Sequence, residues 1–483
     1  MAATWRSNLG QGVLSAPPFF TRHKPATLPT YPYAGAGLMS GEKKLTKRPM
    51  RIILPLMLWL GIILFARGFI PGLRGRAIRN DFAIYYVSAL ELREGINPYT
   101  TEFSSTAHHA GLEIKDVTKS TEPPFALLLF EPLTSFLPFT AYVIWQTINF
   151  FSLCAALIIL LRGDSRFSRP ALWTLAAIAF AYPPVISHFF YGQSKLPILL
   201  MLVIAMRFLS VAGSDRTAGL MLAFAGLMRI YPLVLGGYLV LEGRWRALGW
   251  MLAGVFAGVL ATTALIGPIN CISFFQGLSY LTEDKWTAMS GDNAPLAMLI
   301  RSLQALSITS TLSGSTQHLI LILINVLLLS FTVRATLAHR LGEQQAVMPI
   351  LSLWVTTAIV LPPVSWDYDM TLLLIPFACI ALAASRGEAS RRSIVMALLS
   401  YLLIAVWRFS GIRDSEQASS FVGYVLRETA SLSLLCAYYA SYWFVLDSAA
   451  EAIPLWQVPM VALTRMFGST SPKLKASSIE VAG

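Results

Sequence analysis

Charge is what this chain lacks most. Only 13% of its 483 residues are charged, about half the share usual in a soluble domain, while 55% are apolar and 12% aromatic. A soluble protein of this size has no way to hide so much apolar surface, so lipid is the expected solvent. Acids are scarcer than bases, 25 against 37, giving a net charge of +12. The basic residues flank apolar runs and form no stripe on a soluble domain, which argues against a nucleic-acid partner. Such an excess records orientation and contact with anionic membrane lipid. Cysteine is scarce as well. Cys154, Cys271, Cys379 and Cys436 are scattered and form no CxxC pair, so neither a zinc site nor a disulfide framework is expected. GxSxG, HExxH, P-loop and dinucleotide motifs are missing, and no internal repeat is evident. His188 and His318 have no ligand-spaced partners and are read as structural.

What is present is a series of apolar runs. Residues 1–50 read as a disordered cytoplasmic tail ending in the basic cluster Lys43, Lys44, Lys47, Arg48 and Arg51. Residues 51–447 read as one polytopic membrane domain, and 448–483 as a C-terminal tail. Spans of about 20 apolar residues are expected near 52–70, 138–161, 171–190, 194–212, 247–267, 317–338, 346–363, 370–385, 393–409 and 428–446. The fold class is therefore all-α, with about 10–13 membrane helices once short ones are counted. Basic loops orient the spans, with the tail and the loops near 162–169, 210–216, 242–246, 334–340 and 385–392 inside. Residues 217–242 begin and end inside yet make only one span's length. A broken pair of half-helices solves this, with its tip at Arg229, where Tyr231-Pro232 interrupts the helix. The arginine-rich stretch 74–79 then falls outside, against the charge rule.

With this topology the outer segments collect most of the polar residues of interest: Asp81, Gln193, Lys195, Asp284, Asp292, Asn293, Trp366, Asp367 and Asp369. Asp81 fits two readings, a helix N-cap and a carboxylate able to take a proton from a hydroxyl. Arg229, at membrane depth, either snorkels or contacts a phosphate. "YGQSK" (191–195) is an interfacial belt or part of a site, and Asp292-Asn293 is a cap or part of a site. The Asp-x-Asp of "SWDYD" (365–369) is weak evidence for a metal when it stands alone. Phe82, Tyr85, Tyr86, Ala89 and Leu90 share one face, which is expected to seat the first outer loop on lipid as short surface helices.

Taken in order, "NDFAIYYVSALELREGINPYT", "EPPFALLLFEPLTSFLP", "YGQSKLPILLML", "AGLMLAFAGLMRIYPLVLGGYLVLEGRWRA", "GDNAPLAMLIR" and "PPVSWDYDMTLLLIP" resemble glycosyltransferase family 87 over roughly residues 50 to 445. These are polyprenyl-phosphate-mannose-dependent α-mannosyltransferases of the C-type membrane glycosyltransferase fold. The resemblance implies that Asp81 is the catalytic base and that Arg229 stands where relatives commonly carry Lys. It also matches Gly192-Gln193-Ser194, Asn293 and Arg301 to family positions. Tyr368 and Asp369 depart from it, standing where relatives carry His. Arg229, Lys195 and Arg301 are then candidates for the donor phosphate. Gln193, Tyr231, Asn293, Asp292, Trp366, Asp367 and Asp369 are candidates for substrate contacts, and Tyr85, Trp286 and Trp366 for stacking on sugar faces. No cofactor or metal is required. The implied partners are a polyprenyl-phosphate sugar donor, a glycolipid or glycan acceptor and membrane lipid. The implied location is a bacterial inner membrane, with the site facing outward.

Two other classes share the spans: a transporter or flippase of lipid-linked sugars, and a lipid-linked oligosaccharide polymerase or ligase. The first suits a broken hairpin but lacks a repeat of halves. The second usually carries its large outer loop late in the chain, whereas here the longest is the first. The hairpin assignment is directly testable. Single cysteines at 243–247 are expected to react with impermeant thiol reagents only from the inner face, and labelling from outside overturns the topology.

Overall fold

The computed structural model describes residues 63, 66, 81–112, 114, 119–162, 169–210, 214–277, 298, 314–341, 347–362, 365–409 and 421–448. Among these residues every regular element is helical. The chain begins with α1 (Asp81–Arg93) and α2 (Ser104–His109). Next comes α3 (Pro124–Phe130), which tightens into a 3₁₀ turn over Glu131–Ser135. Then follow α4 (Pro138–Arg162), α5 (Arg169–Ala181), α6 (Pro183–Tyr191) and α7 (Lys195–Leu209). α3, α4 and α6 each start on a proline, whose missing N–H is one that a helix start leaves unbonded anyway. The expected span 171–190 is thus two helices. Tyr182 before Pro183 adopts an extended ψ of 120°, and the helix breaks there.

The stretch 217–242 folds as the expected broken pair. α8 (Asp215–Met228) stops at Arg229, a 3₁₀ turn covers Tyr231–Val234, and α9 (Leu235–Leu241) returns. Arg244 Nη1 lies 3.2 Å from Asp215 Oδ1, so the two ends of the hairpin meet at one level. Small residues seat the hairpin on α10 (Trp245–Ile266). A Cβ on Gly219 would stand 2.3 Å from the Ala247 carbonyl, and one on Gly258 would stand 2.2 Å from Leu227 Cδ1. Close backbone approach of this kind is how helices gain packing energy where lipid removes the hydrophobic drive between them.

The remaining helices are α11 (Pro268–Gly277), α12 (Gly314–Leu341), α13 (Val347–Val360), α14 (Leu374–Ser385) after a 3₁₀ turn over Asp367–Leu373, α15 (Arg391–Phe409) and α16 (Phe421–Ser448). Among the described residues five stretches are long and apolar enough to cross a membrane: Pro138–Leu161, Trp245–Ile266, Leu319–His339, Asp367–Ser385 and Glu428–Ser448. α10 exposes Phe256, Leu260 and Leu265, and α12 exposes Leu323, Val326 and Leu327. Faces of this composition require lipid as their solvent. The protein is an all-α polytopic membrane protein. Its main core runs through α4–α10 and α12–α16. The four cysteines are free thiols.

One expectation is overturned. The first loop does form short helices, but Phe82, Tyr85, Tyr86 and Ala89 are buried in protein and not laid on lipid. They pack with Phe130, Leu133, Tyr142 and Trp145 in a second core. Spacing identified the apolar face but not its partner, because aromatic rings suit either environment.

The opposite side of α1 is buried too. Glu91 is fully buried near the Thr106 hydroxyl of α2, and burial pushes its carboxyl up from 4.5 to about 7. The folded state therefore binds a proton that the unfolded chain releases. Stability is full below about pH 4.5 and is lost as pH rises to about 7. Glu91→Gln is expected to flatten that slope and add about 1–3 kcal/mol at pH 8, read as a higher melting temperature by scanning fluorimetry in detergent. An unchanged pH profile would show that the carboxyl is solvated in the folded protein.

Candidate active site

The turn between α6 and α7 organises the site. α6 ends in left-handed Gly192 (φ 69°, ψ 37°). The N–H groups of Gly192 and Gln193 both return to the His188 carbonyl, at 2.9 and 3.1 Å. Glycine is required here for its positive φ and for space, since a Cβ at 192 would stand 2.8 Å from Phe82 Cβ. α4 locks the turn from behind. Trp145 Nε1 donates to the carbonyls of Gly192 and Gln193 at 2.9 and 3.2 Å, and Asn149 Nδ2 donates to that of Gln193 at 3.0 Å. His188 Nε2 accepts the backbone N–H groups of Lys195 and Leu196 at 3.0 and 3.2 Å. A ring lone pair thus caps α7 in the place usually taken by a Ser or Asp oxygen. His188 is structural, as its isolation in the sequence implied.

Three further elements bring charge to this turn. α1 begins at Asp81, whose Oδ2 accepts a hydrogen bond from Gln193 Nε2. One turn on, Tyr85 donates its hydroxyl proton to Gln193 Oε1 at 2.6 Å. The hairpin tip supplies Arg229 in extended backbone (φ −151°, ψ 135°). Pro232 lacks an N–H, and in a continuous helix its ring would clash with the Met228 carbonyl four residues back. Arg229 Nη2 donates to Tyr85 Oη at 2.9 Å and to Glu122 Oε1 at 2.7 Å. Its Nε–H is buried without an acceptor among the described residues. The 3₁₀ turn before α14 supplies Asp369. Its Oδ2 accepts the Trp366 N–H at 2.9 Å, and its Oδ1 lies 2.8 Å from Lys195 Nζ. The Lys195 ammonium also faces the rings of Tyr231 and Tyr368 at 5.7 and 5.6 Å.

Three acids, Asp81, Glu122 and Asp369, therefore gather with two cations, Lys195 and Arg229. Each cation is held by one carboxylate, which is how a buried charge becomes tolerable. Burial pushes the Tyr85 phenol well above its ordinary range. Nearby Glu122 adds to the shift and Arg229 opposes it, so the hydroxyl stays a proton donor. Asp81 is half-buried, leaving part of its surface open.

Of the residues expected from sequence, Asp81, Gln193, Lys195, Arg229, Tyr231 and Asp369 meet here. Trp366, half-buried, stacks on Tyr368 at 6.3 Å between ring centres, and Asp367 is buried on the same 3₁₀ turn. Arg301, Asp292 and Asn293, with Asp284 and Trp286, lie outside the described residues. Tyr85 is no platform for a sugar, because its ring is buried against Phe130 at 4.8 Å. Glu122 was missed. Its signal was an acid directly before Pro123-Pro124 at the mouth of an apolar helix, a place where a carboxylate needs a partner.

The family model of glycosyltransferase family 87 matches residues 121–363, half of the chain. Glu122, Gln193, Lys195 and Arg229 lie inside the matched segment, and Asp81, Asp367 and Asp369 lie outside it. No curated protein and no solved structure matches the chain.

The turn yields a stability test. Gly192→Ala combines left-handed strain with the Phe82 contact and is expected to cost more than the 1–3 kcal/mol typical of strain alone. Gly387→Ala is the control, with a φ of 71° and nothing within 4 Å of its added Cβ. Equal losses of melting temperature would show that α1 does not press on the turn.

Proposed function

The chain belongs to glycosyltransferase family 87 and is a membrane glycosyltransferase; on that premise we propose that it moves a hexose, mannose first, from a polyprenyl-phosphate-linked donor to a lipid or glycan acceptor. The reaction takes place on the extracytoplasmic side, with the protein a multi-pass component of a bacterial inner membrane. The observation that carries this reading is a single cluster holding a half-buried carboxylate, Asp81, beside two cations, Arg229 and Lys195.

Those groups match the needs of direct displacement. The acceptor hydroxyl loses its proton to Asp81 as its oxygen bonds to the sugar's anomeric carbon. The bond from that carbon to the phosphate oxygen breaks, and the lipid phosphate leaves carrying the electron pair. A phosphate needs no proton to leave. It needs positive charge aimed at the developing anion, and Arg229, Lys195 and Arg301 are assigned that role. Arg229 offers its Nε–H, a guanidinium donor with no protein acceptor among the described residues. One base and no enzyme nucleophile give inversion. Gln193, Trp366, Tyr231, Asp292, Asn293, Asp367 and Asp369 are assigned to the sugar and acceptor.

Purified protein incubated with a panel of polyprenyl-phosphate sugars is expected to release free polyprenyl phosphate only with its true donor. Asp81→Asn keeps the side chain's size and is expected to melt like wild type while transferring at least about a hundredfold more slowly. Near-normal turnover would reduce Asp81 to a structural role. Arg229→Ala strands Glu122 as an unpaired buried charge, at a cost of about 3–5 kcal/mol. Arg229→Lys is therefore the cleaner probe, expected to fold and to retain part of the donor use. If both variants use donor like wild type, Arg229 does not bind phosphate.

A further inference from the structure

We propose that Tyr85 and Gln193 are positioning residues, forming a hydrogen-bond relay that ties Arg229, the cation of the phosphate seat, to Asp81, the proton acceptor. This rests on the reading just given for those two ends. The relay itself is geometry. Arg229 Nη2 donates to Tyr85 Oη at 2.9 Å, Tyr85 donates to Gln193 Oε1 at 2.6 Å, and Gln193 Nε2 donates to Asp81 Oδ2. Every bond points the same way, from cation to carboxylate, and chains of aligned bonds polarise one another.

The middle members have little freedom to do anything else. Tyr85 and Gln193 are 1% and 2% exposed. Tyr85 has one hydroxyl proton, and Gln193 takes it. Its ring is stacked on Phe130 and cannot swing away. The Gln193 amide is engaged at both ends, and what remains for the sugar contact expected of it is one N–H and one oxygen lone pair. Its orientation is also forced. Reversed, Oε1 would face the Asp81 carboxylate, acceptor against acceptor. The backbone beneath it is held separately by Trp145 and Asn149, so the side chain can be changed without undoing the turn.

The relay has two effects on Asp81. It fixes the carboxylate against α1, and placement errors near 1 Å can cost about 10²-fold in rate. It also donates a hydrogen bond to the carboxylate, a contact that favours the ionised form over the protonated one. Other charged and titratable groups gathered around the relay are Lys195 on α7, Glu122 before α3, Tyr231 just after Arg229, and Tyr368 and Asp369 on the 3₁₀ turn before α14. Elements packed on α1 add Glu131 from the 3₁₀ turn after α3, and His108 and His109 from α2. None of these changes in the variants below.

The test uses the full-length protein in nanodiscs with its donor, comparing Tyr85→Phe, Gln193→Ala and the double variant. Melting temperature, kcat, donor KM and the pH–rate profile are measured for each. Each single change is expected to lower kcat about tenfold or more while moving donor KM less than about threefold. The double variant is expected to be no more than about twofold worse than the worse single, because either change breaks the same chain. In all three the acid limb of the profile is expected to move to higher pH, which a merely structural loss would not produce. Turnover within twofold of wild type, multiplicative single effects, or an unmoved acid limb overturns the relay. Should Gln193→Ala fail to fold, Tyr85→Phe alone decides, since it removes one oxygen and keeps the stacked ring. If Asp81→Asn is inactive and the relay variants are normal, only the relay falls. If Asp81→Asn is active, the functional reading beneath it falls.

Discussion

A guanidinium buried at the tip of a broken helix hairpin is costly unless something neutralises it, and Glu122, 2.7 Å from Arg229, does so here. That pairing constrains the architecture. Glu122 stands just before α3 and Arg229 at the hairpin tip, so the ion pair fastens the hairpin to the segment leading out of the first loop. Through Tyr85 the same guanidinium reaches α1, and through α1 it reaches the Gly192 turn. Four stretches far apart in sequence are thus drawn to one point by the need to satisfy one charge.

Lys195 and Asp369 repeat the arrangement from the other side. Lys195 starts α7, and Asp369 both caps the 3₁₀ turn before α14 and neutralises the ammonium. Tyr231 and Tyr368 flank that ammonium, and Tyr191 packs edge-on against Tyr368 at 6.0 Å. The site is therefore built from interlocked ion pairs with aromatic walls. For the phosphate donor proposed above, the cations would be already oriented and partly screened. Screened cations bind an anion less tightly in the ground state, and binding energy helps the rate when it is realised as charge develops on the leaving oxygen.

How much of this was legible in the sequence differs by residue. The hairpin was, because loop charge and Tyr231-Pro232 constrain the backbone locally and the two constraints agree. His188 as a structural residue was legible from its isolation. The gathering of Asp81, Gln193, Lys195 and Asp369 was anticipated from the single side of the membrane that loop charge and the count of spans assign to them. The lipid seat expected for α1 was wrong. An apolar face is visible in a sequence, but whether lipid or Phe130 and Trp145 cover it is a tertiary matter. The pairing of Glu122 with Arg229, 107 positions apart, left no local trace, since spacing rules reach only a turn or two along a helix. Nor did the hydrogen-bonding role of Tyr85, because a tyrosine on an apolar face reads as an anchor until its hydroxyl is located.

The closed hairpin also bears on how the protein is made. α8 has 14 residues, about 21 Å of helix, too short for a hydrocarbon layer of about 30 Å, and its far end carries an arginine. Neither half is suited to insert as an independent span during synthesis. The two ends of the pair meet at Asp215 and Arg244, so on the expected topology it adds nothing to the count of crossings. It therefore has to settle into a niche provided by α7, which precedes it, and α10, which follows it. Glu122 precedes Arg229 by 107 positions and is synthesised before it. The charged centre also draws on chain made after the hairpin, because Lys195 is paired with Asp369.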